Sequence, residues 1–167
     1  MKRALITALF VATASAGEFL DWPAESRVPW ESVPITKLPA GVRPQDPEDP
    51  ERALTTVQVR RGDVDGDGIA DLIVDTGRGG TGGSYVFIYR RDGKRYREVL
   101  TEQGGIIISR ERGRIECWSR IGGMRQRRTV YRFDGHRFVE LFTDTLKGPI
   151  DGDRLEVLER RKPAKSK

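Results

Sequence analysis

From Thr55 onward apolar and polar residues alternate in short runs broken by glycine and Asp-Gly pairs, a period of two that marks strands rather than helices. The alternation predicts strands near 55–60, 71–75, 84–90, 94–101, 106–110, 114–119, 126–133, 137–142 and 154–158. Residues 89–102 (Tyr-Arg-Arg-Asp-Gly-Lys-Arg-Tyr-Arg-Glu-Val-Leu-Thr-Glu) and 131–144 (Tyr-Arg-Phe-Asp-Gly-His-Arg-Phe-Val-Glu-Leu-Phe-Thr-Asp) align without a gap at an offset of 42. Each copy sets Asp-Gly between two strands, and glycine accepts the positive φ that a tight hairpin turn demands. An offset of 42 matches a propeller blade of roughly 40–45 residues. A closed propeller of four such units would need about 168 residues, and only 115 follow residue 52. The expected fold is therefore mainly β: two blade-like antiparallel sheets packed as a small sandwich or open barrel, preceded by a Pro-rich segment.

The flanks break this pattern. Residues 17–52 hold seven of the nine prolines, and proline lacks the amide hydrogen that a ladder or helix interior uses. This segment is expected to be extended, with one helical turn near 47–54. It is either docked on the body through Trp22 and Trp30 or a spacer. Residues 1–16 begin Met1-Lys2-Arg3, continue with an apolar run over 4–14, and end Ala14-Ser15-Ala16. That is the layout of a secretory signal peptide, its apolar run shorter than the roughly 20 residues of a membrane-spanning helix. Cleavage would leave a mature chain from Gly17, periplasmic or secreted, with no membrane insertion. The β domain is expected over 53–158, and 159–167 reads as a basic, frayed tail.

Export changes the meaning of the cysteine count: Cys117 stands alone, so no intramolecular disulfide can staple the fold. Lys and Arg total 30 against 25 Asp and Glu. Four of those acids crowd one loop, so the remaining surface is more basic than the net charge. Arg110, Arg112, Arg114, Arg120, Arg125, Arg127, Arg128 and Arg132 gather on the later strands. They read either as a polyanion-attracting surface or as solvated charges that keep strand edges apart.

The densest chemistry lies at 63–71, Asp-Val-Asp-Gly-Asp-Gly-Ile-Ala-Asp. Calcium is a hard cation that takes 6–8 oxygens. Alternating short carboxylates let a tight loop wrap it. Asp63, Asp65 and Asp67 would each supply a carboxylate oxygen, Ile69 its backbone carbonyl, and Asp71 both carboxylate oxygens. Without a cation, four acids within nine residues repel one another. The spacing follows the start of an EF-hand loop, but the position for its closing glutamate is Val74, and Leu72-Ile73-Val74 continues as strand.

A calcium loop that runs straight into a strand, Asp63-x-Asp65-x-Asp67-Gly68-x-x-Asp71-Leu72, resembles the FG-GAP and VCBS-type repeats of integrin propellers and many bacterial exported proteins. The resemblance covers roughly 57–90 and implies one Ca2+ ion. The stretch 105–113, at the offset of 42, has no aspartate and offers no second site of this kind.

Other signals are weaker. Gly77-Arg-Gly-Gly-Thr-Gly-Gly83 contains a Gly-x-Gly-x-x-Gly match, but a strand follows it where a nucleotide fold needs a helix. His136 is the only histidine, and with no partner thiol or second imidazole it suggests neither zinc nor a catalytic triad. Cys117 shares a strand face with Ile115 and Ser119 and reads as a buried thiol. Trp118 points to the other face, toward a core or a sugar ring. Catalysis needs a positioned acid or base besides the metal ligands, and the sequence offers no distinctive constellation of that kind. The expectation is a monomeric, non-enzymatic, exported calcium-binding module with a recognition or structural role, its partner an envelope protein or an anionic glycan, with no nucleic acid. The alternatives are an envelope inhibitor or anionic-ligand module using the basic strands, and a calcium-dependent hydrolase.

Overall fold

The computed structural model describes residues 19–21, 29–108, 111–150 and 154–163. The expected signal peptide, Trp22 and Arg110 lie outside them. Two antiparallel sheets make up the fold. The first runs β2 (Glu31–Pro34), β3 (Thr56–Gly62), β4 (Asp71–Asp75), β5 (Tyr85–Asp92) and β6 (Arg95–Gln103). The second runs β7 (Gly105–Ile108), β8 (Arg114–Gly122), β9 (Arg125–Phe133), β10 (Phe138–Ile150) and β11 (Arg154–Arg161), with the short β1 (Phe19–Asp21) on its edge. Within each sheet the order follows the chain, so β3–β6 and β7–β10 are two four-stranded meanders.

The repeat is real at the level of hydrogen-bond register. In the first hairpin Ile88 pairs with Leu100 and Tyr89 with Glu98, leaving Val99 as a one-residue bulge. In the second, Val130 pairs with Phe142 and Tyr131 with Glu140, leaving Leu141 as the bulge. Every one of these positions is displaced by 42 residues. A bulge bends its strand and adds twist, so the two hairpins share their curvature.

Equivalent residues nevertheless face opposite ways. Ile73, Val86 and Ile88 of the first sheet pack against Ile106, Ile115, Cys117, Tyr131 and Phe138 of the second. Tyr131 thus points into the seam, whereas its counterpart Tyr89 points away from it, with Val57, Val59, Leu72, Val74 and Phe87. The sheets are stacked back to front, as successive propeller blades would be. The back of the first unit lies on the front of the second.

This arrangement leaves the front of the first sheet needing cover, and the Pro-rich segment supplies it. Val33, Ile35, Leu38, Val42 and Leu54 pack on that face. Both faces of the first sheet are therefore buried, which accounts for the unbroken apolar runs Leu72-Ile73-Val74 and Val86-Phe87-Ile88. The helical turn falls at Ile35–Lys37, directly after Pro34, rather than at 47–54. Trp30 is held by the guanidinium of Arg60, 4.8 Å from its ring centre. Arg60 in turn donates to the Ile106 carbonyl across the seam at 2.7 Å.

Two boundaries move. β10 continues through Gly148 and Pro149 to Ile150, its ladder to β11 shifting register between Lys147 and Ile150, where proline's missing N–H is tolerated. β11 extends to Arg161, three residues into the expected tail, because Arg161 pairs with Thr143. Cys117 is buried beside Ile115 and Ser119, and burial pushes its thiol up to about 12.

Ile88 is fully buried at the seam, so Ile88→Ala is expected to cost about 2–5 kcal/mol. Exposed Ile121→Ser should stay within about 0.5 kcal/mol. Urea denaturation of the two variants would show whether the seam carries the fold's stability, and a loss below about 1 kcal/mol for Ile88→Ala would place the core elsewhere.

Candidate metal site

The loop between β3 and β4 is held by its own aspartates. Asp63 accepts from the Gly66 N–H at 2.8 Å and the Gly68 N–H at 3.0 Å. Asp65 accepts from Asp67 N–H at 3.0 Å, and Asp67 from Ile69 N–H at 2.7 Å. Asp71, at the start of β4, receives Val64 N–H on one oxygen at 3.2 Å and Arg91 N–H on the other at 2.7 Å. These bonds turn the chain inward so that ligand atoms of Asp63, Asp65 and Asp71 lie within 4.8 Å of one another.

This set could hold a metal ion. Its donors are all carboxylate oxygens, the hard ligands that calcium and magnesium prefer to zinc or copper. Asp67 lies outside it and turns to Arg90, whose Nη2 is 3.1 Å from its Oδ2. Ile69 exposes its side chain at the loop tip. Val64, between the first two aspartates, is fully buried in the seam cluster and anchors the loop to the core.

The electrostatics are unfavourable without a cation. Burial pushes the carboxyl of Asp71 up to about 6, against the two backbone N–H bonds it accepts, and the charges of Asp65 and Asp67 push the same way. Arg90 relieves part of this strain in charge. Its Nε donates to Asp65, whose side chain is only 2 % exposed, and its guanidinium lies 5.5 Å from the ring centre of Phe133 in the second sheet.

The loop also touches the second sheet directly. Gly66 has φ +83°, and a Cβ there would sit 2.1 Å from Arg112 Cγ and 2.9 Å from Gly113 N. Arg112 and Gly113, which it abuts, belong to the connection from β7 to β8, the topological counterpart of the aspartate loop that joins β3 to β4. The counterpart of 63–71 is thus this shorter turn, and 105–108 of the stretch at offset 42 is strand.

The remaining sequence candidates separate. The Gly-rich run packs at the corner where the chain changes sheets: a Cβ at Gly83 would lie 3.1 Å from Gly104 Cα, and the Gly82 carbonyl accepts Arg120 N–H at 3.4 Å. A cleft of about 530 Å³ remains beside it, lined in part by Asp75, Trp118, Arg120 and Gln126. Trp118 donates its indole N–H to Glu116 at 3.2 Å and packs on the cluster of Leu146, Leu155 and Val157. His136 is exposed at its hairpin turn.

The arginine group is divided. Arg128 is buried, bound to Glu116 at 2.8 Å and Asp144 at 3.1 Å, and Arg160 closes the other side of Asp144 at 2.7 Å. Burial alone would raise Glu116, but Arg128 holds it below the usual carboxylate range. Arg114 and Arg132 both pair with Glu111. Sequence reasoning found neither these pairs nor Arg90. The only signal for Arg90 was the β4–β5 register, which sets Leu72 opposite Tyr89.

No family model matches the chain, and neither the curated proteins nor the solved structures give a match.

Removing Arg90 leaves a shielded carboxylate unpaired, so Arg90→Leu is expected to lower stability by about 1–3 kcal/mol in chelator. Thermal melts of both proteins in chelator check this, and equal midpoints would show that Arg90 is a bystander.

Proposed function

We propose that this chain is an exported, non-enzymatic calcium-binding β module in which one Ca2+ ion, held by the loop 63–71, fastens the two sheets together and serves a recognition or structural role in the cell envelope. The observation that carries this reading is the convergence of Asp63, Asp65 and Asp71 within 4.8 Å in a loop whose Gly66 abuts the Arg112-Gly113 turn of the other sheet. Asp67 and the Ile69 carbonyl would complete the ligand set once a cation replaces the guanidinium of Arg90 as the counter-charge of Asp65 and Asp67. Export rests on the basic, apolar and small-residue pattern of residues 1–16. The non-enzymatic reading rests on the chemistry of the loop, whose acids cap its own backbone N–H groups and would serve as ligands.

Titration calorimetry is expected to give one calcium per chain, and Asp65→Ala with Asp67→Ala to abolish it; unchanged binding in the double variant would sink the assignment. Calcium at about 100 times its dissociation constant should stabilise the native state by about 2.7 kcal/mol. A melting temperature indifferent to chelator would remove the fastening role. Arg90→Leu should bind calcium more tightly than the parent, since the ion no longer displaces a guanidinium.

A further inference from the structure

The first sheet ends at β6, whereas the second continues beyond β9 through β10 and β11. There the seam face of the second sheet turns polar. Glu140 stands opposite Tyr131, and the next pair on that face, Thr129 with Thr143, is continued on β11 by Arg161. Together with Glu102 of β6, Arg127 and Lys162, these groups line a cleft of about 440 Å³. Every lining residue has a polar side chain.

The charges in this cleft do not neutralise one another. Glu102 accepts the hydroxyl of Tyr131, and Glu140 accepts that of Thr143 at 2.8 Å, itself 3.1 Å from the Thr129 hydroxyl. Burial pushes the Tyr131 phenol up, and the charges of Glu102 and Glu140 push it the same way, so both carboxylates converge on one point. Neither has a cation partner among the described residues. Arg127 gives its Nε to the Ser119 hydroxyl at 3.2 Å, and neither Arg127 nor Lys162 has a carboxylate partner among the described residues. Arg161 pairs only with Glu159 of its own strand, an exposed contact of the kind that contributes little. Acids and bases thus share one cleft without meeting, and each sign is open to a counter-charge from outside the chain.

We propose that this cleft binds a short zwitterionic peptide of about three residues, its ammonium between Glu102 and Glu140 and its carboxylate on Arg127 and Lys162. A polyanion would be opposed by the two glutamates, and a polyamine by the arginines and the lysine. A sugar would find no open aromatic face, because the ring of Tyr131 is packed in the seam. Length separates a peptide from a free amino acid. Tyr131, beside the acids, and Arg127 are four residues apart on β9, about 13 Å of strand. An extended peptide covers about 3.5 Å per residue, so three residues and the reach of the arginine bridge the gap, whereas the two charges of an amino acid sit on one Cα. The cleft shares no residue with the aspartate loop, and the proposal does not rest on the metal.

The test is titration calorimetry of the protein with trialanine. Saturable binding in the millimolar range or tighter is expected. N-acetyl-trialanine and trialanine amide, each lacking one terminal charge, should bind about tenfold more weakly or worse, because each loses a charge-assisted hydrogen bond. Glu140→Gln and Arg127→Gln should each weaken trialanine by a similar factor, and Arg127→Lys should preserve it. Arg127 is exposed and Glu140 half-buried, so thermal melts of these variants should match the parent. Absence of saturable binding, equal binding of the blocked and free peptides, or free alanine binding as tightly as trialanine would overturn the proposal. Parental binding by both Glu140→Gln and Arg127→Gln would also overturn it, by placing the peptide elsewhere on the molecule.

Discussion

Everything else in the molecule follows from the burial of Ile73, Val86 and Ile88 against Ile115, Cys117 and Tyr131. These residues join the back of one meander to the front of the next, so the seam is made of two unlike surfaces. The first sheet needs a second cover, and the segment 33–54 provides it. The second sheet ends in a face of its own chemistry. The aspartate loop and Arg90 sit where the seam opens to solvent, which is why Arg90 can reach Asp65 on its own sheet and Phe133 on the other.

That outer face of the second sheet shows how charge can sit inside a β protein. Asp144 is fully buried, yet Arg128 and Arg160 each approach it within hydrogen-bond distance. Phe142 lies between them, its ring centre 5.7 Å from one guanidinium and 4.8 Å from the other. A buried pair of this kind adds little net stability over an apolar packing, but breaking it strands a charge. The network thus fixes the strand register of β8, β9, β10 and β11 more than it deepens the energy well.

The strands were legible because period-two patterning reflects local burial: β4 falls at 71–75 as the sequence indicates. The hairpin repeat was legible because Asp-Gly and the flanking aromatics encode turn and register together. β1 and β2 were not, since Phe19–Asp21 and Glu31–Pro34 take their strand character from the partners β11 and β3 rather than from their own residues. The acidic loop could be read from spacing alone. Its tie to Arg90 could not, because a contact between residues 25 apart depends on how strands pair and stack. The basic cluster misleads for the same reason. Arg128 and Arg125 look alike in sequence, yet only the register of β9 against β8 and β10 buries the first among carboxylates and leaves the second in water.

The back-to-front seam also has a direction. A contact between two different surfaces of one repeating unit contains no instruction to stop, and it must close into a ring, continue as a filament, or be terminated. The two ends of this pair of sheets differ in kind. At one end Val33, Ile35, Leu38 and Val42 occupy the position a preceding unit would take. At the other, the Arg128–Asp144–Arg160 network sets buried charge beside the apolar cluster of Trp118, Leu146, Leu155 and Val157. The Pro-rich segment thus covers, with residues of its own chain, the apolar face through which a repeat array would continue.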